Sequence, residues 1–157
     1  MQAIDEPTSR SIVVRPTDVP QDQKTAFQPT SSQGVSFPED QRTPTIVVNF
    51  GRPAEVQSIT IPRDRTPNAN TQQFEVTFFA SNGSQINPTP IRSSTSPRDD
   101  QSKPAQLTLS EIPSTTPVSR IEIRVIRTID DRSPKGVILD IKACVEPTTG
   151  QYLFWLI

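Results

Sequence analysis

Two stretches, Arg120-Ile-Glu-Ile-Arg-Val-Ile-Arg127 and Gly136-Val-Ile-Leu-Asp-Ile-Lys-Ala-Cys-Val145, alternate apolar and polar residues, and only a charged, proline-containing loop separates them. A period of two sends every second side chain to one face of an extended chain, so each stretch buries one face and wets the other. Together they predict a long antiparallel hairpin closing a β-sandwich. Proline usage points the same way. The chain carries 17 prolines in 157 residues, and proline is tolerated in turns and at strand ends but removes a ladder donor inside a strand. Many short strands joined by proline-bearing loops suit such a chain; long helices do not.

The strand pattern runs through most of the sequence. Residues 1–33 are rich in Pro, Gln, Ser and Thr and read as an irregular N-terminal segment with one edge strand at Ile12-Val13-Val14. Residues 34–146 read as the sandwich, and 147–157 as a C-terminal linker or tail. Within the sandwich, Thr45-Ile-Val-Val-Asn-Phe50 is followed by a turn at Gly51-Arg-Pro-Ala-Glu55 and by Val56-Gln-Ser-Ile-Thr-Ile61. Phe74-Glu-Val-Thr-Phe-Phe-Ala80 comes next, and Asn82-Gly83 makes a two-residue hairpin turn that favours positive φ. The return strand, about 84–91, is interrupted by Pro88 and Pro90 and is placed at a sheet edge. Leu107-Thr-Leu109 precedes the closing pair.

Alternation also sorts the core. The inward set is Ile46, Val48 and Phe50; Ile59 and Ile61; Phe74, Val76 and Phe78; Leu107 and Leu109; Ile121, Ile123 and Val125; and Val137, Leu139, Ile141 and Ala143. At roughly 1.5–3 kcal/mol for each large side chain buried, this set is enough for one domain. Cys144 falls on the opposite face, beside Asp140 and Lys142, as a partly covered thiol.

Consecutive strands of an antiparallel sandwich reverse direction, so alternate connections emerge at the same end. Counting from residue 45, one end collects the three longest loops, 62–71, 92–101 and 129–135, all rich in Arg, Asp, Pro and small polar residues. Loops held on a rigid scaffold are where binding residues concentrate. The candidate ligand-binding residues are Arg63, Asp64, Arg65, Asn68, Asn70, Arg98, Asp130 and Arg132. Arginine suits carboxylate-bearing sugars or phosphates because its fork engages two oxygens at once. The equal competing account is a set of solvated surface loops. No cofactor is expected: Asp99-Asp100 is the candidate metal pair, for a structural Ca²⁺, but the alternating spacing of an EF-hand is absent and a solvated turn or a salt bridge to Arg98 or Arg132 is the favoured account.

Several function classes are excluded or disfavoured. The chain has no His and one Cys, which removes His/Cys metal sites, the usual catalytic triads and an intramolecular disulfide. It has neither a phosphate loop nor a nucleophile elbow, so no enzyme is expected. A net charge of −1 gives no reason to expect nucleic acid as a partner. No run approaches the ~20 apolar residues of a membrane span, and no secretory signal is visible at the start of the sequence. The apolar tail 152–157 is too short to span. Asn82-Gly-Ser84 matches an N-glycosylation acceptor, whereas Asn87-Pro-Thr89 is blocked by its proline.

With the strands in place, residues 45–144 resemble the discoidin family, the coagulation-factor type C domains within the galactose-binding-like β-sandwiches. Asn49-Phe-Gly-Arg-Pro53, between two strands, looks like that family's Asp-Leu-Gly-Lys-Pro signature. Phe74-Glu-Val-Thr-Phe-Phe-Ala-Ser-Asn-Gly83 resembles its next strand and turn. Pro117-Val-Ser-Arg-Ile-Glu-Ile-Arg-Val125 looks like its Ala-Arg-Tyr-Ile-Arg-Ile segment, and Val137-Ile-Leu-Asp-Ile-Lys-Ala-Cys144 like its closing strand. The resemblance implies an all-β, antiparallel jelly-roll sandwich. It also implies a non-catalytic extracellular or cell-surface module that binds a glycan, a phospholipid headgroup or a matrix protein through loops at one end. Two features depart from the family: residues 1–43 hold no cysteine to pair with Cys144, and loops 62–71 and 129–135 lack the exposed aromatic tips that many members carry, Phe37 being the one aromatic near the position of the family's first spike. The rival readings are a spacer in a mucin-like or matrix protein and an accessory carbohydrate-binding domain of a larger enzyme.

Overall fold

The computed structural model describes residues 9–15, 18–19, 25–65, 68–112 and 117–145. The fold is all-β. Its strands are β1 (Ser9–Val14), β2 (Thr25–Phe27), β3 (Thr45–Ile61), β4 (Thr71–Phe79), β5 (Ile91–Arg92), β6 (Ala105–Leu107), β7 (Val118–Thr128) and β8 (Asp140–Val145). All pairings between these strands are antiparallel except that of β1, which runs parallel to the first part of β3. The tail at 147–157 lies outside the described residues.

β3 organises the molecule. Its first part, Thr45 to Phe50, lies between β1 and β7. Its second part, Ala54 to Ile61, lies between β8 and β6. The expected turn at 51–55 is therefore not a separate loop: extended backbone continues through it and passes from one layer to the other. Ala54 marks the crossing, because it pairs with Val118 at the start of β7 and with Val145 at the end of β8. The resulting layers are β1-β3-β7-β4-β5 and β2-β8-β3-β6, joined through the shared strand. A strand that changes sheet at a bend is an established way to turn a sandwich corner.

This arrangement corrects one expectation. β7 and β8 do not form a hairpin; they run in opposite senses in different layers, each bonded to a different half of β3. Alternation specifies the face a residue takes, and both strands do turn apolar residues inward, but it carries no information on which strand lies alongside.

One core serves both layers. Ile46, Val48, Phe74, Val76, Phe78, Ile121 and Ile123 pack in the same cluster as Ile59, Ile61, Leu107, Leu139, Ile141 and Ala143. The inward parity of β3 changes along its length, from even positions up to Val56 to odd positions at Ile59 and Ile61. A register shift between Val56 and Ser58 makes the change, as a β-bulge does by inserting one residue. Leu109 departs from expectation: it opens a 3-10 turn (Leu109–Glu111) and is 43% exposed, while Ile112 is buried instead. Cys144 is buried too, between buried Ala143 and Val145, so this end of β8 is covered on both faces.

The N-terminal segment contributes more than one edge strand. β2 pairs with β8 and is anchored by Phe27, whose ring meets Phe50 edge-on with centroids 6.4 Å apart. The Thr30 hydroxyl accepts a 3.1 Å bond from the Leu139 amide. Gly34 and Gly136 pass so closely that a Cβ on Gly34 would stand 2.5 Å from the Gly136 carbonyl carbon. Both adopt positive φ, +79° and +63°, and they lead into the reciprocal bonds between Val35 and Val137.

The return segment after the Asn82-Gly83 turn has little strand of its own, as Pro88 and Pro90 require; β5 is two residues long and ends the sheet. Asn87 compensates. Its Oδ1 accepts from the Phe78 amide at 2.7 Å, and its Nδ2 donates to the carbonyls of Val76 at 3.0 Å and Thr89 at 2.9 Å. The side-chain amide thus replaces a missing ladder residue along β4. Asn87→Ala leaves a buried donor and acceptor without partners and is expected to cost about 2–4 kcal/mol in chemical denaturation. Asn87→Asp keeps the acceptor but turns a carboxylate oxygen on the carbonyls of Val76 and Thr89 in a buried site, and is expected to cost at least as much.

Candidate functional site

Strand direction brings the long loops together. β3 and β7 end, and β4 and β8 begin, at one pole of the sandwich, and residues from 63–70, 98–101 and 129–135 line a common cleft of about 350 Å³ there. The lining comprises Arg63, Asn68, Ala69, Asn70, Arg98, Gln101, Ile129, Asp130, Arg132 and Lys135.

Arg63 leaves the end of β3 and is 3% exposed. Its guanidinium threads the second loop, donating to Ser96 Oγ at 2.7 Å, to the carbonyls of Asp100 and Arg98 at 3.3 Å each, and to the Pro97 carbonyl. Ser96 in turn donates to the Lys103 carbonyl. Burial pushes the Arg63 pKa down, while the charges of Asp100 and Asp99 push it back up; arginine stays protonated under such conditions. Its hydrogen bonds go to neutral oxygens, and the nearby Asp100 and Asp99 carboxylates offset part of its positive charge.

Asn70 does for the third loop what Arg63 does for the second. Its Nδ2 donates to Asp130 Oδ1 and to the Ser133 carbonyl, both at 2.9 Å, and its Oδ1 accepts from the Lys135 amide at 2.9 Å. Asp130 Oδ1 also accepts from the Arg132 amide at 3.3 Å, so this carboxylate is committed to its own turn. The turn needs Asp131 in the left-handed region at φ 55°, a conformation Asp tolerates better than most residues. The loop is moored from below where Ser133 Oγ donates to the Phe37 carbonyl at 2.9 Å and Phe37 donates its amide to Pro134. The Lys135 ammonium pairs with Glu39 at 2.8 Å. That hydrogen bond holds the Glu39 carboxyl below its usual range. The stability this contributes is complete above the ordinary carboxylate pKa and is lost as pH falls through the lowered folded value.

The sequence-derived residues separate into three groups. Asn68, Arg98 and Arg132 line the cleft with exposed side chains, while Arg63, Asn70 and Asp130 line it as parts of its framework. Asp64 and Arg65 do not line it; Arg65 reaches Asp140 at 2.9 Å instead. Lys135 and Gln101 are cleft residues that were not singled out, although both fall in the loops expected to converge or at their edge. Asp100 Oδ1 accepts from the amide and hydroxyl of Ser102, which lowers the Asp100 pKa. Among the described residues no group of three His, Cys, Asp or Glu is placed to hold a metal. Phe37, the candidate aromatic spike, is buried at 4% exposure in the shared core. Among the described residues no helix is long and apolar enough to cross a membrane.

No family model matches the chain, and no curated protein sequence is significantly similar to it.

Proposed function

We propose that this chain is a non-catalytic recognition module of the discoidin type, acting outside the cell or at its surface. It takes a polar ligand carrying an anionic group, a carboxylate-bearing glycan or a phospholipid headgroup, in the cleft between the three loops. The observation that carries the reading is the charge of the lining: among the described residues Arg63, Arg98, Arg132 and Lys135 line the cleft with one carboxylate, Asp130, while Asp99 and Asp100 act on Arg63 from outside the lining. Two of these cations are committed, Arg63 to loop carbonyls and Lys135 to Glu39. Arg98 and Arg132 are exposed and have no ion-pair partner among the described residues, so they are available to a ligand. Asn68 and Gln101 add neutral amide donors and acceptors suited to sugar hydroxyls. The resemblance of 45–144 to discoidin domains supports the same end of the sandwich.

The test is retention of the full chain on a glycan array containing neutral and acidic sugars, and on neutral and anionic liposomes. Arg98→Gln/Arg132→Gln is expected to weaken binding by roughly tenfold per guanidinium, since a hydrogen bond to a charged group contributes about 1.5–3 kcal/mol and these are exposed. Arg65→Gln, outside the cleft, is expected to bind like wild type. Equal retention of wild type and double variant on every surface rules the reading out. The spacer reading would then stand, and one observation favours it: with Phe37 in the core, no aromatic side chain among the described residues lines the cleft.

A further inference from the structure

We infer that Asn82 is an N-glycosylation acceptor, modified where the β4 hairpin turns, at the pole opposite the cleft. Three observations beyond the Asn-Gly-Ser sequence support this. First, Ser81 to Gln85 are all exposed, and a Cβ built on Gly83 meets nothing within 4 Å, so a bulky enzyme reaches the tip unhindered. Second, the tripeptide is already turned so that hydroxyl and amide meet: Asn82 Oδ1 accepts from the Ser84 amide at 2.9 Å and from Ser84 Oγ at 2.7 Å. Both bonds polarise the side-chain carbonyl and leave Nδ2, the atom to be modified, without a partner among the described residues. Third, the competing Asn-X-Thr at Asn87 is closed in the fold as well as by its proline. Asn87 is 4% exposed and both ends of its amide are bonded to backbone.

The reaction balances without an oxidant or reductant. Nδ2 attacks the anomeric carbon of a lipid-diphosphate-linked oligosaccharide, a new C–N bond forms, and the C–O bond to the diphosphate breaks. The lipid diphosphate leaves with the electron pair, and the amide gives up one proton to a base of the transferring enzyme. β4 spans nine residues, and at ~3.4 Å per residue the acceptor stands about 30 Å from the cleft. A glycan there shields the tip of the hairpin without covering the loops, so the inference rests on the extracellular placement proposed above but not on what the cleft binds.

The full chain, secreted from a eukaryotic host behind a cleavable leader, tests it. Wild type is expected to give a retarded band that collapses on treatment with a peptide-N-glycosidase, with an Asn82-containing glycopeptide identified by mass spectrometry. Asn82→Gln and Ser84→Ala are expected to abolish the shift, Ser84→Thr to retain it, and Asn87→Gln to leave it in place. Secreted wild-type chain with unmodified Asn82, alongside a glycosylated control protein from the same cells, overturns the inference. So does a shift that persists in Asn82→Gln.

Discussion

Gly34→Ala is expected to destabilise the domain by about 4–7 kcal/mol, a large share of the roughly 5–15 kcal/mol that holds a typical domain folded. Three costs accumulate at this position. The first is conformational: φ at Gly34 is +79°, and a Cβ in the left-handed region costs roughly 1–2 kcal/mol. The second is steric. The new methyl would meet Gly136 backbone atoms at 2.5, 2.7 and 2.9 Å, and backbone cannot rotate aside as a side-chain end can; overpacking of this kind costs about 1–3 kcal/mol. The third is what separation would break, namely the paired 2.9 Å bonds between Val35 and Val137, at about 1 kcal/mol each. Thermal or urea unfolding checks the total. Gly83→Ala is the control: it shares a positive φ of +86° but faces open space, so only the first cost is expected.

The second large effect separates two neighbouring residues of the same type. Phe78→Ala is expected to cost about 3–5 kcal/mol, because the ring is 1% exposed and its removal leaves a cavity between the layers. Phe79→Ala, one position along on the outer face, is expected to cost about 1 kcal/mol. Phe79 carries the Arg120 guanidinium 4.0 Å from its ring centroid, and such a stack at a partly exposed site contributes about 0.5–1 kcal/mol. Equal losses for the two variants in denaturant titrations would contradict the inward parity of β4.

What was legible in the chain follows from what a period of two encodes. Side-chain face is encoded, and Ile46, Val48, Phe74, Val76, Ile121, Ile123 and Ile141 all lie inside as alternation requires. Strand reversal is encoded by turn residues, and it brings 63–70, 98–101 and 129–135 to one pole. Partner choice is not encoded, so the apparent hairpin of 120–127 with 136–145 resolves into two strands in different layers. Parity is also blind to bulges. Gly51-Arg-Pro-Ala-Glu55 reads as a turn from its residues, whereas extended backbone continues through it and one inserted residue near Gln57 changes the inward parity. Inside the loops no period applies. Arg63 and Arg65 are two positions apart, yet one is buried in the framework and the other reaches out to Asp140. Phe37 stands near an aromatic-spike position only through the resemblance to discoidin domains; its place in the core depends on contacts made roughly 100 residues later.

A single strand with partners in both layers has a consequence for how the molecule comes apart. Melting either layer on its own would strip one half of β3 of its neighbours and leave the other half tethered to disordered chain. Partial opening is therefore penalised from both sides. Amide protons of β7 and β8, which never touch through hydrogen bonds, should exchange with solvent through one common opening event and with closely similar protection.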